Sequence, residues 1–224
     1  MTNLQVVEIQ KCEIEPWLLY KHYAHKIPAV VKQFGLFKDG FLEGVCCYGS
    51  PACPSNNYMG DFKQYELVRL VVNEGLPKNS LSFFVSGTFK YLEGPLSLVS
   101  YADSLHGHHG YIYQATNWIY TGQSDCVYRW INEEGKDLHN RAMTEYRKKF
   151  PKLTVTEIAT KLGYKKVLGS SKFRYFYFIG NKRDKRIWLK ELKKRYTIMP
   201  YPKGENQRYK IEKDKTRVVD LMNY

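Results

Sequence analysis

Residues 100–122 read Ser-Tyr-Ala-Asp-Ser-Leu-His-Gly-His-His-Gly-Tyr-Ile-Tyr-Gln-Ala-Thr-Asn-Trp-Ile-Tyr-Thr-Gly. The stretch crowds one carboxylate (Asp103), three histidines (His106, His108, His109) and four tyrosines (Tyr101, Tyr111, Tyr113, Tyr120) around three glycines. A carboxylate can take a proton, and a phenol can give one or stack on a flat ring. Imidazole can do either proton task near neutral pH. The apolar run 96–99 leads in and the helix-spaced run 111–118 leads out. The reactive groups therefore stand where a strand ends and a helix begins, a common place for an α/β active site. A polar turn between two core elements is the plainer alternative.

The elements that must hold this stretch are readable in outline. Residues 3–10 read as a strand. Glu15-Pro16 opens a helix through about residue 23, with Pro16 in its first turn. Residues 34–37 and 41–48 form a hairpin around Lys38-Asp39-Gly40, and 49–63 is a Gly/Pro/Asn-rich loop. Residues 65–72 are a strong strand. A helix over 80–92 follows, its apolar face periodic and its N-cap Asn79 or Ser80. Residues 96–101 are a strand, 111–119 a helix and 126–130 a strand. Thr154 and Glu157 form a capping-box pattern opening a helix over 154–163. That segment resembles the first helix of a helix-turn-helix, without a clear recognition helix behind it. Residues 173–179 form an aromatic strand and 185–194 a short basic helix, and Pro200-Tyr201-Pro202 ends regular structure. A hairpin within alternating strands and helices predicts an α/β fold with a mixed, mostly antiparallel sheet flanked by helices.

The 224 residues, 43% of them hydrophobic, suit one domain over 1–224. No run approaches 18 apolar residues, and residues 1–15 lack a signal-peptide core, so neither a membrane span nor secretion is expected. Five cysteines without a CxxC pair, Cys46 and Cys47 adjacent and Cys53 close by, suit reduced, inert thiols. The net charge of +13 is unevenly placed: residues 1–140 hold 11 Lys/Arg against 14 Asp/Glu, and residues 141–224 hold 24 against 8. The split predicts a core over 1–140 carrying the active site, and a basic part over 141–224 with the last strands and a polyanion-binding surface. A merely solubilising surface is the alternative. Cations interleave with aromatics there (Arg174, Tyr175, Phe176, Tyr177; Arg186, Trp188; Arg195, Tyr196), which suits phosphate binding combined with base stacking.

The strand–turn–helix unit over 65–92 could also hold an anion. Amides at a helix N-terminus suit a pyrophosphate. Gly75 permits close approach, Lys78 adds charge, and Asn79, Ser80 and Ser82 carry side-chain donors. Ordinary strand–turn–helix packing explains the unit equally well.

The order of elements resembles the GNAT acetyltransferase fold, in which the helix after the fourth strand grips the pyrophosphate of acetyl-CoA. The family's Arg/Gln-x-x-Gly-x-Gly/Ala loop is missing, and Gly75 through Ser82 would replace it. A closer resemblance lies in Tyr-Lys-His-Tyr-Ala-His-Lys-Ile-Pro around His22-Tyr23, in Tyr65-Glu66-Leu67-Val68-Arg69-Leu70-Val71-Val72, and in Lys78-Asn79-Ser80-Leu81-Ser82-Phe83-Phe84. Ser100-Tyr101-Ala102-Asp103 and the 110–122 stretch complete it. Together these resemble the phage Mu Mom family of DNA-modification proteins. The likeness is strong over 15–122 and looser in 172–181 and 201–203.

That resemblance implies a GNAT-like fold and an enzyme that converts adenine N6 in double-stranded phage DNA to a carbamoylmethyl derivative. The modification shields the DNA from restriction in the bacterial host's cytoplasm. Acetyl-CoA and iron have both been linked to the family. Its His-Tyr pair, Asp and Tyr fall on His22, Tyr23, Asp103 and Tyr113, and its coenzyme-contacting serine on Ser82. Asp103 could act as general base or be a turn carboxylate. Tyr113 could stack on the base, donate a proton or be a core aromatic. His22 could shuttle a proton, bind metal or be structural. An iron site would need His22 and Asp103 to converge with His25 or one of His106, His108 and His109, and no diagnostic metal spacing marks it. A GNAT N-acetyltransferase acting on a protein or small amine is the alternative function, and a DNA-binding protein without turnover a third. The residues leave oligomeric state open, a dimer included.

Overall fold

The computed structural model describes residues 3–51, 59–104, 107–126, 128–135, 138 and 140–203. Cys53, His106 and the 204–224 end of the basic part lie outside them. Strand β1 (Leu4–Glu8) leads into helix α1 (Lys11–Pro16), which passes into a π-helical turn, Trp17–Lys21. The helix starts earlier than expected, because Glu13 reaches back to cap the Gln10 amide at 2.7 Å. Pro16 therefore closes α1 instead of opening it. The hairpin is as expected: β2 (Val30–Lys38) and β3 (Phe41–Gly49) are joined by Asp39 and Gly40, both at positive φ.

Strand β4 (Lys63–Val72), helix α2 (Ser80–Thr88, then a 3₁₀ turn Phe89–Tyr91) and β5 (Leu96–Asp103) follow. Helix α3 spans only Tyr111–Ala115, not 111–119. Asn117 turns left-handed (φ 61°) and stops it. From Ile119 the chain instead gains ladder bonds as β6 (Ile119–Gln123). Then come β7 (Tyr128–Ile131), α4 (Asn140–Lys149), α5 (Val155–Lys161), β8 (Lys165–Leu168), β9 (Lys172–Ile179) and α6 (Lys182–Arg195). The Thr154–Glu157 capping box forms as read, but strand β8 follows α5 where a recognition helix would stand.

Seven strands make one sheet in the order β1-β2-β3-β4-β5-β9-β6, and β7 and β8 pair separately. Only β4 and β5 run parallel; the other pairs are antiparallel. This is the mixed, mostly antiparallel sheet the sequence predicts. Side-chain alternation sorts the sheet into two faces. On one, Phe34, Cys46, Tyr48, Leu98 and Tyr175 pack under Phe84 and Val85 of α2 and Tyr113 of α3. On the other, Val45, Cys47 and Val71 pack under Ile14, Trp17 and Leu18, and Val99, Phe176 and Phe178 under Trp188 and Leu192 of α6. Trp130, Met143, Ile158 and Ala159 build a separate core where β7, α4 and α5 meet. No helix among the described residues is long and apolar enough to cross a membrane.

Helix α6 is pinned by a fully buried bond, Trp188 Nε1–H to Ser97 Oγ at 2.9 Å. Ser97→Ala leaves that indole N–H buried without an acceptor. The variant is expected to lose about 1–3 kcal/mol in a denaturant titration, and replacing Trp188 by Phe as well should return part of it.

Candidate functional site

Strands β4 and β5 pair over only four residues, Lys63–Glu66 against Leu96–Val99. Beyond these the ladder stops. Ser100 closes the end of the paired segment, its hydroxyl donating to the Leu67 carbonyl at 2.9 Å and pairing with the Tyr113 hydroxyl at 2.7 Å. Tyr113 is buried, and burial raises its phenol well above the ordinary value near 10. At neutral pH it is therefore a protonated group, able to give a proton but not to take one.

The π turn brings a second pair to the opposite side. The His22 amide bonds back to Trp17 O at 2.9 Å, and the His22 and Tyr23 rings stack with centroids 4.3 Å apart. The Tyr23 pKa is raised, first by burial and then by the negative charge of Asp103, while Arg69 opposes the shift. Tyr23 thus senses the last residue of β5 and a cation from the middle of β4. Tyr113 in turn senses Tyr23. His22 and Tyr23 stack on each other, and electrostatic coupling links Tyr23 to Asp103 at the end of β5 and to Tyr113 on α3.

Asp103 is not a turn carboxylate but a strand residue, opposite Lys172 in the ladder. Its Oδ1 accepts the Ser170 hydroxyl at 2.7 Å, and Lys172 Nζ lies 3.9 Å from Oδ2. Arg69 is a site residue that sequence reasoning misses. Its Nη1 donates to the adjacent Val68 carbonyl at 2.7 Å, and its buried Nε has no hydrogen-bond partner among the described residues. A buried N–H without an acceptor is costly to keep unless something binds it. A signal does exist: Arg69 is a lone cation inside the apolar run Leu67 to Val72. Beside it, burial holds the Cys47 thiol at a pKa of about 12, which suits an inert cysteine.

The histidines fare differently. Nδ1 of His22 accepts the Ala24 amide at 3.0 Å, so its proton sits on Nε2. Metal binding through Nε2 would move that proton to Nδ1, against the Ala24 N–H. Nδ1 of His25 is held at Leu19 O, 2.7 Å away. His109 packs against Phe173, its carbonyl accepting the Tyr175 hydroxyl. Among the described residues no three His, Cys, Asp or Glu side chains converge to hold a metal. An iron site built on His22 and Asp103 does not fit these residues.

On the α2/α3 face lies a cavity of about 390 Å³, lined by Asn79, Ser82, Phe83, Ser86, Phe89, Thr116, Asn117 and Tyr177, among others. Asn79 and Ser82 are thus where a coenzyme would need them. Gly75, Lys78 and Ser80 are not among its lining residues. Ser80 is buried and its hydroxyl is committed to Pro77 O at 2.7 Å. Asn79 is left-handed (φ 70°) and makes no side-chain cap, leaving the first-turn amides at Leu81 and Ser82 without helical acceptors.

Comparison with known proteins gives one sequence match: the model of the Mom protein family matches residues 3–203. No curated protein sequence matches the chain. Several solved structures resemble it, among them three acetyltransferases. A candidate acetyltransferase from Acinetobacter baylyi ADP1 is 11% identical, with a TM-score of 0.46, covering 82% of this chain and 96% of its own. An N-acetyltransferase from Staphylococcus aureus Mu50 is 13% identical, at 0.44, covering 80% and 99%. A GNAT family acetyltransferase from Elizabethkingia anophelis, with acetyl-CoA bound, is 10% identical, at 0.37, covering 79% and 98%.

Tyr113 offers a check on the site's geometry. Its folded pKa lies above its unfolded one, so its contribution to stability is complete below pH 10 and is lost as pH rises through the raised value. Tyr113→Phe is expected to flatten the loss of stability above about pH 10, read from denaturation midpoints at a series of alkaline pH values.

Proposed function

Because the chain belongs to the Mom protein family, we propose that it modifies the N6 amino group of adenine in double-stranded DNA, converting it to a carbamoylmethyl group that blocks restriction. The observation that carries this reading is the break in the β4–β5 ladder, where Ser100 holds the hydroxyl of a protonated Tyr113 and Asp103 and Arg69 both act on the Tyr23 phenol.

Adenine N6 is a weak nucleophile, because its lone pair is delocalised into the ring. The protein must therefore hold the base, accept the N6 proton and place the amino group against an activated carbon. Asp103 is the proton acceptor in this reading, and the Ser170 hydroxyl and Lys172 orient its carboxylate. Tyr23, stacked on His22, presents an aromatic face to the base. His22 positions Tyr23 through that stack and keeps its own proton on Nε2. Tyr113 gives a proton or hydrogen bond to oxygen on the incoming group, since burial keeps it neutral. The guanidinium of Arg69 suits a carbonyl or carboxylate oxygen on the same group.

In this reading Asn79, Ser82 and the first-turn amides of α2, beside the α2/α3 cavity, would hold the phosphates of acetyl-CoA. When bound it would supply a thioester-activated acyl carbon, and attack there by an amine expels the coenzyme A thiol and leaves an N-acetyl group. The carbamoylmethyl group instead takes a donor whose methylene carries a leaving group and whose amide is already in place. N6 forms the new bond to that methylene, and its proton passes to Asp103. Iron does not fit the described residues and takes no part in this mechanism. Because adenine N6 lies inside a duplex, the base must leave the stack to react. The basic part beyond residue 140 holds the phosphates. Helix α6 is its densest stretch, with eight Lys/Arg to two Asp/Glu, and it covers the same sheet face as the π turn.

Nucleosides from the DNA of cells expressing the chain are expected to contain a deoxyadenosine heavier by one carbamoylmethyl group. Asp103→Asn is expected to abolish that adduct while leaving the denaturation midpoint nearly unchanged. Unmodified deoxyadenosine from soluble wild-type protein, with acetylation of an amine instead, would move the reading to an ordinary N-acetyltransferase. Neutralising Lys185 and Arg186 on α6 is expected to weaken binding to duplexes of any sequence. The slope of log affinity against log salt should fall by about one for each phosphate no longer neutralised.

A further inference from the structure

From the mounting of the π turn we infer that Tyr20 is a wedge: it enters the base stack of duplex DNA at the place the target adenine vacates. The inference rests on the reading above, in which the acceptor is a paired adenine. Among the described large hydrophobic side chains Tyr20 is the most exposed, at 69%, and its neighbour Leu19 is also exposed. An exposed aromatic on a loose loop would mean little. Tyr20 stands on a mount fixed from several sides.

Trp17 and Leu18, just before it, are fully buried against the sheet. The turn closes on itself through the His22 amide and Trp17 O. Lys21, just after it, is tied to Glu74 at 2.7 Å beyond the end of β4. His25 Nδ1 grips Leu19 O at 2.7 Å. The backbone under Tyr20 is therefore held before, after and beneath, and the phenol is left projecting into solvent.

Its position gives the projection a use. Tyr23, three residues on, is the side chain that senses Asp103 and Arg69. Across the same sheet face stands α6 with its row of cations. A duplex whose phosphates lie on α6 meets the π turn on its other side. Extruding a base leaves a gap in the stack, and filling it with an aromatic ring recovers part of the lost stacking. The phenol suits that task, presenting a flat apolar face without a charge to desolvate.

The test compares wild type, Tyr20→Ala and Tyr20→Phe on a mixed-sequence duplex and on the same strand unpaired. Tyr20→Ala is expected to slow modification of the duplex at least about tenfold and to leave the unpaired strand within about twofold. Tyr20→Phe is expected to match wild type. Equal loss on both substrates, or none on the duplex, would overturn the wedge. A second readout does not depend on turnover: 2-aminopurine replaces single adenines of the duplex, and its fluorescence is followed as protein is added. Wild type is expected to brighten it at one position and Tyr20→Ala to leave it dark. No brightening by wild type sinks the wedge whatever the modification assay reads. Brightening without any adduct upholds the wedge and sinks the proposed chemistry.

Discussion

The parting of β4 from β5 is the constraint on which the rest of this structure turns. Two parallel strands that pair for four residues and then separate leave backbone groups without ladder partners inside a protein. Ser100 answers one of these by bonding the Leu67 carbonyl, and in doing so it fixes where the Tyr113 hydroxyl lies. The sheet has a slot in its middle, and the slot is lined by polar groups from both strands. The candidate chemistry gathers around that slot because an intact ladder would have left no room for it.

The two faces of the sheet are of unlike character. The α2/α3 face carries the neutral cavity built from Asn79, Ser82 and aromatic side chains. The α1/α6 face carries the stacked His22–Tyr23 pair, Arg69, Asp103 and the cations of α6.

Much of this is legible in the residues. The Asp39-Gly40 hairpin, strands β4 and β9 and the Thr154–Glu157 cap follow from turn chemistry, periodicity and a capping box. All are local signals, written in neighbouring residues. What the residues do not show is tertiary. Helix α3 is periodic to residue 119, but the ladder with β9 wins over the helix after Asn117. Pro16 suits a first turn, but Glu13 caps the chain five residues upstream of the expected start. The grouping of His22, Tyr23, Asp103 and Tyr113 comes from resemblance to a family, because no spacing in one chain reveals which distant residues share a slot. Arg69 stands in plain view as a cation among apolar strand residues. Its meaning depends on the missing ladder beside it, which no local pattern announces.

The π turn at Trp17–Lys21 has a consequence of another kind. A bond from residue 22 back to residue 17 encloses one residue more than an α-helical turn does. In an α-helix each residue advances the side-chain direction by about 100°. The added residue therefore sets the angular phase of everything after it, His22 and Tyr23 included. A substitution changes what those rings are, but not where they point. Loss or gain of a single residue in this turn would re-aim both at once. The frame of this segment is thus a heritable adjustment of the site, reached by insertion or deletion and closed to point mutation.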